Sequence, residues 1–569
     1  MHRAMLGRSW QGKTSMGIPR ASATGTRNLI GWFGTLPEQK IVDSFKRWGF
    51  LIQAYTEADL QVPAQLFALS AMVFVQSPEK PSRVVMPLAN YWQLLLDHGI
   101  QVVVLVAAAH RTKGKEVTSF AAPLATVLRN QRFPAAGLSV FKDDEIKISR
   151  EDRGSEPAPP HVRFFTLGTS WNWVAKSIAA ASQELAPSTP LEIFCPKHFQ
   201  LDGAHKALLR RAFFDCATVH LAPMDEEGKS GALVFRAYAD LVEGLLGRWP
   251  QPYFVKIAVR NKIYTEYQNY TNVVDPYVPF HLGPRLIPER CHLGAKLGII
   301  VGDFVERAES LRECANRGRA APMIAALFHT TLHGWYRSAS EKDAPLPDRL
   351  KFPRLDGIPK RLRHARRMGA RMDVPALNAM FQSSASLLPV LIGPIHGDLH
   401  ASNILVRSHD AIVIDFCAHR DEMPILYDIA CLEVSLLIDG FASDDRKVLH
   451  WLKSVAPLYR GALLETACAT VHPKDASAWF FSCVTQIRLF ARDMQRRRGQ
   501  YAATLAMALL WKASKDPTLK GKQSIRRAAA CVLAERLLND TFGKSEALSA
   551  ESGARGEPEH HPAGKSAAA

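Results

Sequence analysis

The feature that most constrains how this chain can fold is the segment 395–416, IHGDLHASNILVRSHDAIVIDF. Two apolar runs, NILV and AIVIDF, flank the polar turn RSHD, and this pattern predicts a β-hairpin. The hairpin would place Asp398, Asn403 and Asp415 at strand ends or in the loop that leads into a strand. Three oxygen-bearing side chains held in this way can converge on one point, and oxygen ligands are the kind that Mg²⁺ takes.

The letters HGDLHASN, followed by the hairpin and IDF, resemble the catalytic loop of the aminoglycoside/choline kinase-like phosphotransferases. That family has an H-G-D-x-x-x-x-N loop and then an I-D-x metal motif. The resemblance implies that Asp398 is the catalytic base and that His396 supports the loop. It implies that Asn403 and Asp415 bind Mg²⁺, and that Asp428 in LYDIACLE braces the loop. A tight turn alone would explain Asp398 and Asn403, but it would not explain Asp415.

Upstream, the run PYFVKIAV is typical of a strand with one lysine, Lys256, and Glu266 follows ten residues later on a helical pattern. The two residues resemble the strand lysine and helix glutamate of kinases, in which the lysine binds the α- and β-phosphates and the glutamate positions the lysine. A lysine can also extend from a strand edge into solvent without any such role. The order and spacing of Lys256 relative to residues 396–415 favour the nucleotide role.

Just before this strand, EEGKSGALVFRAY (226–238) offers small residues that suit a phosphate-covering hairpin. The residues that would allow close backbone approach are Gly228, Ser230 and Gly231. The loop departs from G-x-G-x-x-G, and it is not a Walker A motif because Pro223 stands where the leading Gly is required. Further on, LGIIVGDFV resembles the hinge that binds the adenine edge, through Asp303 and Val305, although any apolar strand and turn would look alike.

Between residues 27 and 140, strand-like runs alternate with helical patterns, which predicts βαβ units and a parallel, doubly wound sheet. The size and order are similar to those of a receiver or flavodoxin-type module. A phosphate-accepting receiver needs an Asp at the end of its third strand, where this chain has Gln76. We therefore expect a degenerate receiver-like domain that serves as a contact for a protein partner.

The expected fold is an α/β receiver/flavodoxin-like domain followed by an α+β protein-kinase-like bilobal domain with a helical C-terminal lobe. A chain of 569 residues is too long for one core, which agrees with several domains. The predicted segments are a disordered leader (1–27), the receiver-like domain (28–147), a linker and connector (148–219), the kinase-like domain (220–542) and a disordered tail (543–569). The N-lobe of the kinase-like domain would cover about 220–305 and its C-lobe about 306–542.

The chain has 71 Lys and Arg residues against 54 Asp and Glu, a net charge of +17, which favours anionic partners such as nucleotides. Basic clusters at 360–371 and 488–499 are typical of a solvated helix face, and capture of an anionic acceptor or nucleic acid is the alternative. No nucleic-acid-binding motif accompanies either cluster, so nucleic acid is disfavoured as a partner. Nine Cys without C-x-x-C predict reduced thiols and a cytoplasmic protein. No apolar run reaches the roughly 18 residues of a transmembrane segment.

These features predict a phosphotransferase that uses ATP and Mg²⁺ to move the γ-phosphoryl group to a hydroxyl of a small-molecule or protein acceptor. The resemblance extends to bacterial modules of multi-domain signalling or conflict proteins. Three alternatives stay open: a pseudokinase or nucleotide-binding scaffold, a nucleotidyl-transferring variant of the same fold, and a nucleic-acid-binding protein suggested by the charge. The sequence does not identify the acceptor.

Overall fold

The chain forms two compact units in a computed structural model. Unit 1 comprises Met1–Tyr264 and Leu286–Phe304, and unit 2 comprises Thr265–Arg285 and Val305–Ala569. The residues that the structure describes are 27–34, 36–75, 91–106, 110–112, 115–119, 138–142, 145–148, 162–166, 169–181, 185–196, 199–224, 231–242, 252–439, 445–461, 464, 478–516 and 522–543. The predicted leader and tail lie outside these residues, apart from Arg27 and Gly543.

Unit 1 contains fifteen of the strands that the structure describes. They are β1 (Leu29–Phe33), β2 (Leu51–Tyr55), β3 (Leu69–Val75), β4 (Gln101–Val106), β5 (His110–Thr112), β6 (Lys115–Ser119), β7 (Leu138–Lys142), β8 (Glu145–Ile148), β9 (Val162–Thr166), β10 (Glu192–Phe194), β11 (Cys216–Pro223), β12 (Leu233–Leu241), β13 (Tyr253–Val259), β14 (His292–Leu293) and β15 (Leu297–Asp303). The helices are α1 (Gln39–Lys46), α2 (Glu57–Leu60), α3 (Pro63–Leu66), α4 (Trp171–Ala181), α5 (Gly203–Ala212) and the 3-10 turn Pro288–Arg290, with a further helical stretch at 91–97. Helix α6 (Arg260–Asn269) crosses into unit 2.

The first sheet of unit 1 is parallel, with the strand order β2-β1-β3-β4-β9. Its central strands are apolar runs because helices cover both faces. On one face, Met72 and Phe74 pack with Leu96 of the 91–97 helix. On the other face, Val73 packs with side chains of α1 and α4, such as Val174. The predicted parallel sheet with helices on both faces is therefore present.

The end of this sheet differs from the predicted domain boundary. Strand β9 pairs in parallel with β4, although the sequence analysis placed residues 162–166 in the connector. Helix α4 also contributes Val174 and Ile178 to the core beneath the sheet. Between β4 and β9 the chain forms a separate antiparallel sheet with the order β5-β6-β8-β7. The charged stretch 148–161 therefore falls between two strands of unit 1.

His98 is a buried titratable group of unit 1, and it makes the stability of this unit dependent on pH. Its Nδ1 donates a hydrogen bond to the Leu94 carbonyl at 2.9 Å. Burial lowers the pKa of His98 to about 4. The hydrogen bond to Leu94 acts in the opposite direction, and the positive charges of Arg27, Arg211 and Arg210 lower the pKa further. As the pH falls below about 6.5, the unfolded chain takes up the proton first, so the free energy of unfolding decreases until the pH reaches the folded pKa.

We expect wild type to lose about 2 kcal/mol more stability than His98→Asn between pH 7 and pH 5, because one proton linkage contributes about 1.4 kcal/mol per pH unit. Asn keeps an N–H that can reach the Leu94 carbonyl, so the variant removes the titration rather than the hydrogen bond. Urea unfolding of both proteins at several pH values measures the difference. Parallel stability curves for the two proteins would contradict this assignment.

The second sheet of unit 1 has the order β10-β11-β12-β13-β15-β14 and is antiparallel except for β10 against β11. One face is packed against α5 through apolar residues such as Val255, Ile257 and Leu208. Because side chains alternate along a strand, Lys256 lies on the opposite face of β13. Its cross-strand neighbours are Val234 and Ile300.

Unit 2 combines two small sheets with a helical body. Its strands are β16 (Glu309–Ser310), β17 (Ser340–Lys342), β18 (Val390–Ile395), β19 (Ile404–Arg407), β20 (Asp410–Val413) and β21 (Arg420–Pro424), in sheets of order β16-β19-β20 and β17-β18-β21. Its helices are α7 (Asp275–Tyr277), α8 (Leu311–Asn316), α9 (Ala320–Ala326), α10 (His333–Ser338), α11 (Leu346–Arg349), α12 (Pro359–Arg367), α13 (Val374–Gln382), α14 (Leu426–Ile438), α15 (Asp445–Val455), α16 (Ala478–Met494), α17 (Gln500–Ser514) and α18 (Lys522–Phe542), with π-helical turns Tyr270–Val274 and Leu327–Thr331. Short 3-10 turns cover Ser383–Ser386, Ala401–Asn403, Phe416–Ala418 and Ala456–Tyr459.

Helix α17 lies at the centre of the helical body, because nearly all of its side chains are buried. The two basic clusters are not uniform solvated faces. Arg361 of the first cluster is buried and donates to the carbonyl of Ala513 at 2.7 Å, near the end of α17. Arg488 of the second cluster is buried against Glu433. Both arginines therefore hold the helices together.

Two further predictions concern membranes and thiols. None of the helices that the structure describes combines the length and the apolar character needed to cross a membrane. The eight cysteines in the described ranges are all free thiols.

Candidate active site

The loop after β18 carries Asp398, and its backbone is held by a buried carboxylate. Asp428 of α14 accepts hydrogen bonds from the amides of His396, at 2.6 Å, and Gly397, at 2.9 Å. Burial raises the pKa of Asp428, and the His396 ring and the two amide donors offset part of that effect. Asp428 therefore contacts the loop in the bracing position that the sequence analysis assigned to it.

The His396 ring fastens the same loop to the end of the hairpin. The ring is fully buried, and its Nε2 donates to the carbonyl of Ile414 at 3.0 Å. Its Nδ1 then accepts the amide of Asp398 at 3.3 Å. Both ring nitrogens are engaged with backbone groups, so His396 holds the loop, and the Asp398 side chain is left about half exposed.

Asn403 and Asp415 flank one end of the two-stranded ribbon β19–β20. The Asn403 side-chain amide donates to the Asp398 carbonyl at 3.1 Å, so the side-chain oxygen takes no part in this bond. The Ile414 amide donates to the Asn403 carbonyl at 2.9 Å, so the residue before β19 lies beside the residues after β20. Asp415 is exposed and has left-handed backbone angles, φ 65° and ψ 69°. Such strain in a non-glycine residue is concentrated at functional sites.

Gly397 is required by the shape of this loop. Its φ is +79°, and a Cβ at this position would lie 2.1 Å from the carbonyl oxygen of Ala418. Any side chain must therefore displace the backbone that carries Asp398. Gly369 is a matched control, because it has a φ of +96° but nothing within 4 Å of its would-be Cβ.

We expect Gly397→Ala to lower any Asp398-dependent turnover by about 100-fold, since a misplacement of about 1 Å at a reacting group has that effect. Gly369→Ala should leave turnover unchanged and should only destabilise the fold by about 1–2 kcal/mol, the cost of a left-handed alanine. Initial rates and melting temperatures of both variants give the comparison. Equal rates for the two variants would show that the loop tolerates the shift.

Lys515 is a residue near the site that the sequence analysis missed. It lies just beyond α17, and its Nζ donates to Asp398 Oδ1 at 3.3 Å. Burial would raise the pKa of Asp398, but the charge of Lys515 contributes to holding it below its ordinary value. Burial also lowers the pKa of His400 to about 4, so this imidazole, 3.8 Å from Asp398 Oδ2, is neutral at pH 7. No local pattern links positions 398 and 515 in the sequence.

The residues predicted to contact the nucleotide are divided between the units. Lys256 and Gly231 belong to unit 1, where Lys256 is buried and Gly231 has a φ of +69°. Glu266 is buried on α6, within the part of that helix that belongs to unit 2. One of the three points at which the chain passes between the units is 304–305, inside the predicted hinge, with exposed Asp303 at the end of β15 and Val305 after it. Gly228 and Ser230 lie outside the described residues.

In the described part of the chain, no group of three or more His, Cys, Asp or Glu side chains is arranged to hold a metal ion. The pair of Asn403 and Asp415 is a different kind of set, with one amide oxygen and one carboxylate. Mg²⁺ is commonly held by one or two such protein oxygens together with substrate phosphates. The donor set therefore fits a metal that arrives with a nucleotide.

A family model described as "Ternary complex associated domain 9" matches residues 374–513, which is about a quarter of the chain and contains the whole Asp398 loop and hairpin. No curated protein matches this chain.

Several solved phosphotransferase structures resemble the chain. Aminoglycoside phosphotransferase APH(4)-Ia is 12% identical and has a TM-score of 0.33, with 56% of this chain and 93% of that chain covered. A glucosamine kinase in complex with glucosamine, ADP and inorganic phosphate is 13% identical at a TM-score of 0.33, covering 61% and 87%. A choline/ethanolamine kinase family protein from Mesorhizobium loti is 15% identical at a TM-score of 0.30, covering 58% and 91%. The aminoglycoside phosphotransferase and the choline/ethanolamine kinase family protein carry the names of the family that the sequence resembles.

Proposed function

We propose that this protein is a kinase-like phosphotransferase that moves the γ-phosphoryl group of ATP to a hydroxyl of an acceptor. The observation that supports this most is the braced loop of unit 2. It presents the Asp398 carboxylate beside a ribbon end that carries Asn403 and Asp415. A carboxylate held next to an oxygen-rich metal position is what in-line phosphoryl transfer requires.

In this proposal, Asp398 accepts the proton of the acceptor hydroxyl, and His396 and Asp428 keep it in place. Asn403 and Asp415 would hold Mg²⁺ through their side-chain oxygens. Mg²⁺, when bound with the triphosphate, neutralises the charge on the phosphoryl group that is transferred. The Asp398 side chain is about half exposed, which is compatible with direct contact to an acceptor.

The nucleotide contacts in unit 1 are proposed from the sequence. Lys256 would bind the α- and β-phosphates, and Glu266 would orient it. The placement of Lys256 on the sheet face opposite the apolar core supports a polar role for this side chain. Gly228, Ser230 and Gly231 would approach the phosphates, and Asp303 and Val305 would meet the adenine edge.

The parallel sheet of unit 1 has the strand order of flavodoxin-like folds, counting β9 as the fifth strand. This order supports a receiver-like module in front of the phosphotransferase. We propose that it binds a protein partner rather than accepting phosphate, because Gln76 occupies the position of the acceptor Asp.

The test is incubation of the purified chain with ATP, with and without Mg²⁺, against a panel of sugars, amino alcohols and hydroxyl-bearing peptides. We expect Mg²⁺-dependent release of ADP, and mass spectrometry should find an acceptor that has gained one phosphate. Gain of a nucleotide would instead support the nucleotidyl-transferring alternative. ATP binding without any turnover would support the pseudokinase alternative and contradict the proposal.

A further inference from the structure

A cavity of about 570 Å³ in unit 2 lies apart from the Asp398 loop. We call it the arginine pocket. Its walls come from the segment after β15, from the junction of α8 and α9, and from the β19–β20 turn. Its lining includes Arg307, Glu309, Arg317, Arg319, Met323 and Ser408.

The pocket carries an excess of positive charge. Glu309 bridges Arg317 at 2.6 Å and Arg319 at 2.5 Å, and both arginine side chains are more than half exposed. Within the described ranges, no acidic side chain pairs with Arg307. Three guanidinium groups against one carboxylate leave 3 − 1 = +2 in the lining. A guanidinium has five N–H donors, so donors of Arg317 and Arg319 remain for a second anion.

The charge and the shape of the pocket indicate the class of ligand. A phosphate monoester carries a charge of about −1.5 to −2 at pH 7, which matches the excess in the lining. Guanidinium groups bind phosphate oxygens through paired N–H bonds. The cavity is larger than a phosphate alone, and Met323 and Val406 give it an apolar wall for an organic group. Its volume is within the range of small-molecule pockets, about 300–1,000 Å³.

Two lining residues have a strained backbone. Arg307 has a φ of 56° and Ser408 has a φ of 57°, and both are non-glycine residues in the left-handed region. Ser408 lies in the two-residue turn between β19 and β20, where left-handed angles are usual. Strain of the kind seen at Arg307 occurs at positions that the surrounding structure holds in place.

We propose that the arginine pocket is a second anion site, which binds a phosphate monoester with an organic substituent. Strand β19 separates it from Asn403. Four residues of strand span about 13 Å, so one ligand cannot occupy both places as a simple phosphate ester. Strand β19 also connects the arginine pocket with the Asn403 end of the ribbon. Glu309 and Val406, which both line the pocket, are opposite each other in the pairing of β16 with β19. The proposal does not depend on the phosphotransferase assignment.

The test is calorimetric titration of the full-length chain with phenyl phosphate, a monoester with an apolar group, at two salt concentrations. The key variant is Arg307→Gly, which removes the guanidinium and also relieves the left-handed backbone, so it should not unfold the chain. Ser408→Gly is the matched control, since it relieves the same strain in the same pocket without removing a charge.

We expect wild type to bind phenyl phosphate more tightly than inorganic phosphate or phenol, and more weakly at high salt. Arg307→Gly should weaken binding by about tenfold or more, because it removes the charged hydrogen bonds of one guanidinium to the phosphate. Ser408→Gly should change it much less. Absence of saturation by wild type at millimolar concentrations, unchanged binding by Arg307→Gly, or displacement by Mg-ATP would each overturn the proposal.

A parallel titration with a phosphotyrosine peptide identifies the source of the phosphate. Tighter binding of the peptide than of phenyl phosphate would support the site and assign it to a phosphorylated protein. Tighter binding of phenyl phosphate would support the site and assign it to a small metabolite.

Discussion

Replacement of Asp398 by Asn is expected to lower the rate of phosphoryl transfer by about 100- to 10,000-fold, the usual contribution of a positioned general base. The loop should keep its shape, because its contacts to Asp428, Ile414 and Asn403 are made by His396 and by backbone groups rather than by the Asp398 side chain. The carboxylate itself contacts Lys515. The change therefore removes the proposed base and one ion pair with Lys515.

The matched control is Asp410→Asn, on the turn of the same hairpin. Asp410 is partly exposed and pairs loosely with Arg407 at 3.6 Å, so its replacement should leave the rate within about twofold and stability within about 0.5 kcal/mol. ADP release and melting temperature are measured for both variants with the acceptor that the screen identifies. A rate for Asp398→Asn equal to that of the control would remove Asp398 from the chemistry. Normal ATP affinity with lost turnover is the expected pattern, because the carboxylate acts on the acceptor.

The parts of the site that could be predicted are those encoded by local pattern. The runs around RSHD form β19 and β20, with the turn between them, because alternating strand residues and a polar turn are short-range signals. The strand around Lys256 was found in the same way. The Asp428 contact required more than local pattern. It came from the family resemblance, and the hydrogen bonds to the loop amides agree with it.

The parts that could not be predicted depend on contacts between distant segments. Strand β9 joins a parallel sheet beside β4, and a parallel neighbour can stand at any distance along the chain, so local pattern did not place residues 162–166 in this sheet. Lys515 reaches Asp398 across 117 positions. Arg488 looked like part of a basic surface, since its neighbours at 492 and 496–498 are also arginines, and only packing distinguishes it from them.

Arg488 is the centre of a fully buried polar network in unit 2. It donates to both carboxylate oxygens of Glu433, at 2.6 and 3.2 Å, and to the Leu458 carbonyl at 2.8 Å. Tyr501 donates its hydroxyl to Glu433 Oε2 at 2.7 Å. The network joins α14, α16 and α17, and α14 is the helix that carries Asp428. Every charge in it is paired, which is the condition under which buried ions are tolerated.

We expect Arg488→Met to lower the free energy of unfolding of unit 2 by about 3–5 kcal/mol, because it leaves the Glu433 carboxylate buried without its partner. Arg492→Ala, one turn further along α16, is the matched control. Its side chain is half exposed and pairs with Asp493 at 3.5 Å, so the change should be within about 0.5 kcal/mol. Urea unfolding of both variants measures the difference. Adding Glu433→Gln to Arg488→Met should recover part of the loss, since the second change removes the stranded charge. A loss for Arg488→Met as small as for Arg492→Ala would mean that water or another cation reaches Glu433, which its complete burial in the helical body argues against.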